Sequence, residues 1–130
     1  MAYTKTWRYD EDDVSYTHAY TIKPDGSNNA LISEIKDQPI WSIDSKKLSF
    51  LDLSYYDFTT ASFNQISVSG ISGEISGGSF SPQDGNYMVF EIGDENRKAG
   101  LVKTNNESSQ GAQFGTTGIY EPRWSPVPVN

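Results

Sequence analysis

The chain has no cysteine, which excludes disulfides and thiolate-ligated metal centres. It has one histidine, His18, so a histidine-rich metal site cannot be built within one chain. Lys and Arg number 10 against 17 Asp and Glu, a net charge of −7. With no cationic excess to neutralise phosphate, general nucleic-acid binding is excluded, and a partner with a basic surface is favoured. No apolar run approaches the roughly 18 residues of a membrane-spanning helix. The opening stretch MAYTKTWRYDEDD lacks the apolar core of a signal peptide, which fits a cytoplasmic protein or one whose leader has been removed. Catalytic signatures are missing too. Gly70-Ile71-Ser72-Gly73 falls one residue short of a G-x-S-x-G elbow, and neither a P-loop nor G-x-G-x-x-G occurs. Gly111, Gly115 and Gly118 read as loop punctuation.

Helix formers are also scarce, with five leucines and six alanines in 130 residues. What is abundant is Ser, Thr, Gly, Asn and Asp, the chemistry of short strands joined by turns. Seventeen aromatics supply the buried area that a low aliphatic content withholds. The length predicts one domain. Its organising stretch is Ala19 to Leu53. Tyr20 and Ile22 alternate with Thr21 and Lys23, the period of a half-buried strand. Pro24-Asp25-Gly26 is a turn, because proline presets φ and glycine accepts positive φ. Ile40, Trp41 and Ile43 make a short apolar run, and Leu48, Phe50, Leu51 and Leu53 start the next strand.

This stretch resembles the repeat of TolB-like β-propellers. Pro24-Asp25-Gly26-Ser27-Asn28 matches the first turn of that repeat, Ala30-Leu31-Ile32-Ser33 its short strand, and Pro39-Ile40-Trp41-Ser42 the start of its Trp-Ser-Pro-Asp-Gly signature. Ile43 stands where the family has proline and Ser45 where it has glycine. Degenerate copies follow at Phe80-Ser81-Pro82-Gln83-Asp84-Gly85 and Trp124-Ser125-Pro126, with 39 residues from Trp41 to Phe80 and 44 from Phe80 to Trp124. Both spacings lie near the 40–45 residues of a four-stranded blade.

The resemblance implies an all-β fold of about three four-stranded antiparallel blades, circularly shifted by one strand. Blade 1 spans about 1–35, blade 2 about 36–76 and blade 3 about 77–118, with a closing strand at about 119–130. With strands named A to D from the axis outward, blade 1 holds B at Thr4–Tyr9, C at Tyr16–Lys23 and D at Ala30–Ser33. Blade 2 holds A at Ile40–Ile43, B at Leu48–Leu53, C near Asn64–Ser69 and D near Glu74–Ser76. Blade 3 holds A near Ser79–Ser81, B at Tyr87–Ile92, C near Ala99–Lys103 and D near Gln113. Three blades cannot close a ring, since propellers have four to eight. The expectation is half of a six-bladed ring, completed in a homodimer by exchange of the closing strand. A two-sheet sandwich is the plainer alternative.

On this map the B–C and D–A loops share one face and hold 10 of the 17 acids, among them Asp12, Asp13, Asp57 and Asp94, offset by Lys36, Arg97 and Lys98. Tyr55 and Tyr56 fall in a B–C loop of that face. Loop aromatics anchor partners, although more often they cover the edge of a core. The expected binding residues are therefore Asp12, Asp13, Tyr55, Tyr56, Asp57, Asp94 and Arg97. Pro39, Trp41, Phe80 and Trp124 carry the structural signature, the aromatics packing between blades. The run Asp10-Glu11-Asp12-Asp13 reads as a solvated loop, with a weak calcium site as its functional alternative. The function expected is non-enzymatic binding of a protein partner, with no catalytic residues and no cofactor. The alternatives are a calcium-dependent carbohydrate-binding or carbohydrate-active propeller, and a self-assembling structural protein. The resemblance implies a periplasmic or extracellular setting.

Overall fold

The computed structural model describes residues 1–9, 14–82, 85–93, 97–104, 108–110, 112–114, 118 and 122. These form two compact units, 1–39 and 40–130. The described residues contain strands and turns and no helix, as the shortage of helix formers requires. Among the described residues no helix is long and apolar enough to cross a membrane.

The first unit is one antiparallel meander of β1 (Ala2–Tyr9), β2 (Val14–Thr21) and β3 (Ala30–Ser33). Register places Tyr3 opposite Tyr20 and Tyr20 opposite Leu31, so these three share a face. The Tyr3 and Tyr20 rings stack at 5.3 Å. The turn expected at Pro24-Asp25-Gly26 is present. Gly26 N–H donates to the Lys23 carbonyl at 2.9 Å, and Gly26 takes φ +83°. The Asp25 carboxylate accepts from the Ser27 backbone N–H at 2.9 Å and from the Ser27 hydroxyl at 2.7 Å, which ties the bend within three residues.

The second unit holds two four-stranded antiparallel sheets. One is ordered β4 (Ile40–Trp41), β5 (Lys47–Ser49), β6 (Ser54–Asp57), β7 (Ser62–Gln65). After β7 comes β8 (Ser67–Ser69). The other sheet is ordered β9 (Glu74–Phe80), β10 (Tyr87–Gly93), β11 (Lys98–Lys103), β13 (Ala112–Phe114). Before β13 lies β12 (Ser108–Gln110), which pairs in parallel with β8. A core of Leu53, Ile66, Phe80, Met88, Phe90, Ile92 and Val102 fills the space between these two sheets, with Tyr55, Val68, Ile71 and Ile75 against it. The strand β10 is buried continuously from Met88 to Ile92, the mark of a strand covered on both faces.

In the third sheet B, C and D lie close to their expected places. The second sheet departs from expectation. The apolar stretch Leu48 to Leu53 is not one strand. It turns after Ser49, where Leu53 N–H donates to the Phe50 carbonyl at 3.2 Å and Phe50 N–H to the Ser54 carbonyl at 2.9 Å. Leu53 takes φ +60° in this bend. Strand C is therefore Ser54–Asp57 and strand D is Ser62–Gln65, not Asn64–Ser69 and Glu74–Ser76. The stretch Glu74–Ser76 instead opens β9 of the following sheet. Asp52, expected on a strand, lies in the new turn and accepts from Ser54 N–H and its hydroxyl. The Asp-x-Ser pattern, already present at Asp25, is the signal that outweighs the apolar run.

The turns after Trp41 and after Phe80 share one hydrogen-bond scheme. Ser42 N–H donates to the Lys47 carbonyl and Ser81 N–H to the Tyr87 carbonyl. The returning Lys47 and Tyr87 amides donate to the Ser42 and Ser81 hydroxyls. Gly85 carries φ +63° in the second turn, and Ser45 carries φ +57° in the first. A left-handed conformation costs an L-residue roughly 1–2 kcal/mol. Ser45→Gly is therefore expected to raise stability by about 0.5–1 kcal/mol, after the added freedom of glycine in the unfolded chain. A rise in the urea midpoint at unchanged slope checks this.

Candidate functional site: an aromatic row on the second sheet

Successive strand residues point to opposite faces, so register alone assigns the faces of β4–β7. Trp41 lies opposite Leu48, Leu48 opposite Tyr56, and Tyr56 opposite Phe63. Phe58, two residues beyond Tyr56, joins this face from the turn, where its N–H donates to the Lys46 carbonyl at 2.9 Å. The rings form a chain. Trp41 stacks on Phe58 at 5.1 Å, Phe58 meets Tyr56 edge-on at 4.9 Å, Tyr56 meets Phe63 at 5.0 Å, and Phe63 tilts against Phe50 at 6.0 Å. Leu48 and Phe50 are buried, whereas Phe58 and Phe63 remain 38% and 45% exposed. The result is a rigid apolar strip whose outer end meets solvent. The Trp41 indole N–H is buried without a hydrogen-bond partner among the described residues.

Tyr55 and Tyr56 do not share a face. Both lie on β6 instead of a loop, and as neighbours on a strand they face opposite ways. Tyr55 points toward the third sheet, edge-on to Phe80 at 5.5 Å. Lys47 Nζ sits 5.4 Å from the Tyr55 ring centre and 5.6 Å from that of Phe80. On the same face the Ser49 hydroxyl donates to the Gly78 carbonyl at 2.8 Å. Tyr55 and Phe80 thus fasten sheet to sheet, and only Tyr56 belongs to the exposed row. Phe63 is on β7, in a stretch whose composition predicts a loop. Its register with Tyr56 needed the corrected strand C.

The acidic residues divide differently from the expectation. Asp12, Asp13, Asp94 and Trp124 lie outside the described residues. Asp57 ends β6 and does not lie in a B–C loop. Its carboxylate accepts from Thr59 N–H at 2.8 Å and from the Thr59 hydroxyl. That hydroxyl is the leading cause of a pKa held below the ordinary 3.8. Asp44 is lowered chiefly by the Ser42 hydroxyl and Asp25 by that of Ser27. Arg97 donates to Glu91, a buried carboxylate on β10. Pro39 is the last residue of the first unit. Among the described residues no three His, Cys, Asp or Glu side chains gather closely enough to hold a metal ion.

These turn carboxylates carry a pH signature. Each is more acidic in the folded chain than in the unfolded one. Its hydrogen bonds therefore contribute fully above about pH 4 and are lost as the pH falls through the lowered folded value. Asp44→Asn and Asp57→Asn are each expected to flatten the loss of stability below pH 4 while changing little near pH 7. Urea melts at intervals from pH 6 to pH 2 check this, and an unchanged acid slope in both variants contradicts it. All three groups are largely exposed, so solvent screening keeps the effect small.

No protein-family model and no curated protein matches the chain. Among solved structures it is similar to TolB from Acinetobacter baumannii, with a TM-score of 0.66 over 96% of this chain at 20% identity. The chain spans 33% of the length of that protein. The likeness is one of fold: an all-β chain of antiparallel sheets that fits part of a β-propeller.

Proposed function

We propose that the chain is a propeller unit that works as a non-enzymatic binding scaffold for a protein partner. The observation that carries this reading is the half-exposed row Trp41, Phe58, Tyr56 and Phe63. It presents large rings at low entropic cost on strands that are already fixed, the composition of an interface anchor. The net charge of −7 adds a preference for a basic, amphipathic partner and speeds its encounter. Asp12, Asp13 and Asp94 contribute to that field in this reading, together with Glu34 and Asp37. Asp57 adds to the same field from the end of β6, and Tyr55 supports the row from the opposite face. Three blades, at about 1–35, 36–76 and 77–118, form half of a six-bladed ring that a second copy completes through residues 119–130.

Two measurements test this. Light scattering across a concentration series is expected to give twice the chain mass of 14.5 kDa, and a strict monomer overturns the ring. Fluorescence anisotropy with a labelled amphipathic Lys/Leu peptide is expected to show binding that weakens with salt. Phe58→Ser combined with Phe63→Ser should weaken it about tenfold, the loss of roughly 1.4 kcal/mol. Absence of binding at low salt, or indifference to both salt and the two rings, overturns the binding reading.

A further inference from the structure

The parallel pairing of β8 with β12 is the one strand ladder, among the described residues, that joins the chain of the second sheet to that of the third. The strand β8 starts two residues after β7 ends, and β12 lies in the connection from β11 to β13. Ser67 is opposite Ser108, Val68 opposite Ser109 and Ser69 opposite Gln110. Such a ladder, between residues 41 positions apart, straps the segment that follows the second sheet to a connection within the third.

Its construction is slight. It is three residues long and parallel, the less stable pairing per residue. Ser67 and Ser69 are exposed, and the apolar contribution of β8 is Val68, half-buried against the core beside Ile66 and Ile71. Gly70 at φ +76° and Gly73 at φ +115° follow at once, so the chain beyond β8 swings at little steric cost. By contrast, β10 is paired on both edges and buried from Met88 to Ile92. Local opening follows few apolar contacts and exposed backbone hydrogen bonds.

We propose that β8·β12 is a strap that opens by itself, with both sheets intact, and that opening bares the Ile66–Val68–Ile71 rim of the core. Native-state hydrogen exchange on the full chain tests it. The amides of residues 67–69 and 108–110 are expected to exchange at least about 100-fold faster than those of Val89–Ile92. Their rates should ignore low urea, whereas those of β10 rise with it. Equal rates with equal urea dependence overturn the proposal, because the strap then opens only on global unfolding.

A second variant keeps the question answerable. The chain has no cysteine of its own, and paired strand neighbours lie about 4.8 Å apart, within disulfide reach. Val68→Cys with Ser109→Cys is expected to oxidise to a disulfide. Exchange at 66–69 and 108–110 should then slow toward that of β10, and reduction should restore it. A disulfide that forms without slowing exchange there also overturns the strap.

Discussion

Gly100→Ala is expected to destabilise the protein by about 2–3 kcal/mol, at the upper end for one methyl group forced into a packed core. Gly100 on β11 is the register partner of Phe90 on β10, and the ring lies across the space that a side chain would fill. A Cβ at Gly100 meets Phe90 Cε2 at 2.2 Å and Cζ at 2.3 Å. Phe90 is fully buried among Leu53, Ile66, Met88 and Val102, so it has nowhere to swing. Gly78 also opposes a core side chain, with Met88 Sδ 2.4 Å from its would-be Cβ. Methionine is flexible and unbranched, so Gly78→Ala is expected to cost nearer 1 kcal/mol. Phe90→Leu, which costs stability alone, should partly rescue Gly100→Ala. The double variant is expected to be more stable than the sum of the two singles allows. Thermal or urea melts of the four proteins decide this, and strict additivity contradicts the ring-over-glycine account.

Arg97→Met is expected to cost about 2 kcal/mol at neutral pH. Its guanidinium donates to Glu91, whose side chain is only 9% exposed while that of Arg97 is 48% exposed. Removing the cation leaves an anion with much of its hydration already gone, an arrangement that costs several kcal/mol when fully buried. The exposure of Arg97 lowers the figure, because water screens the pair. Adding Glu91→Gln removes the buried charge itself and should recover more than half of the loss. If Arg97→Met melts like the wild type, the pair contributes nothing to the fold.

Much of the fold is legible in the chain. Alternation around Tyr20, the Pro24-Asp25-Gly26 bend, and the apolar runs at Tyr87–Ile92 and Ala99–Lys103 correspond to elements found within a residue or two at most ends. The second sheet differs from expectation because Leu48, Phe50, Leu51 and Leu53 have the pattern of one strand. Their apolar character reports burial, and burial is shared by a strand and by a turn tucked under a core. The local hydrogen-bond chemistry at Asp52 and Ser54 decides between them. Taking the run as one strand puts Tyr55, Tyr56 and Asp57 in a loop, whereas they lie on β6. The pairing of β8 with β12 was not legible, because a Ser-rich segment carries no periodic signal for a partner 41 residues away.

The bends at Asp25, Asp52 and Asp57 each close their hydrogen bonds within three residues. A bend written in three letters asks nothing of the strands on either side. Those strands are then free to drift in sequence so long as volume and alternation are kept. Loops could be lengthened or exchanged beside such a bend without loss of register, which makes these positions natural points for recombination and for grafting new recognition loops.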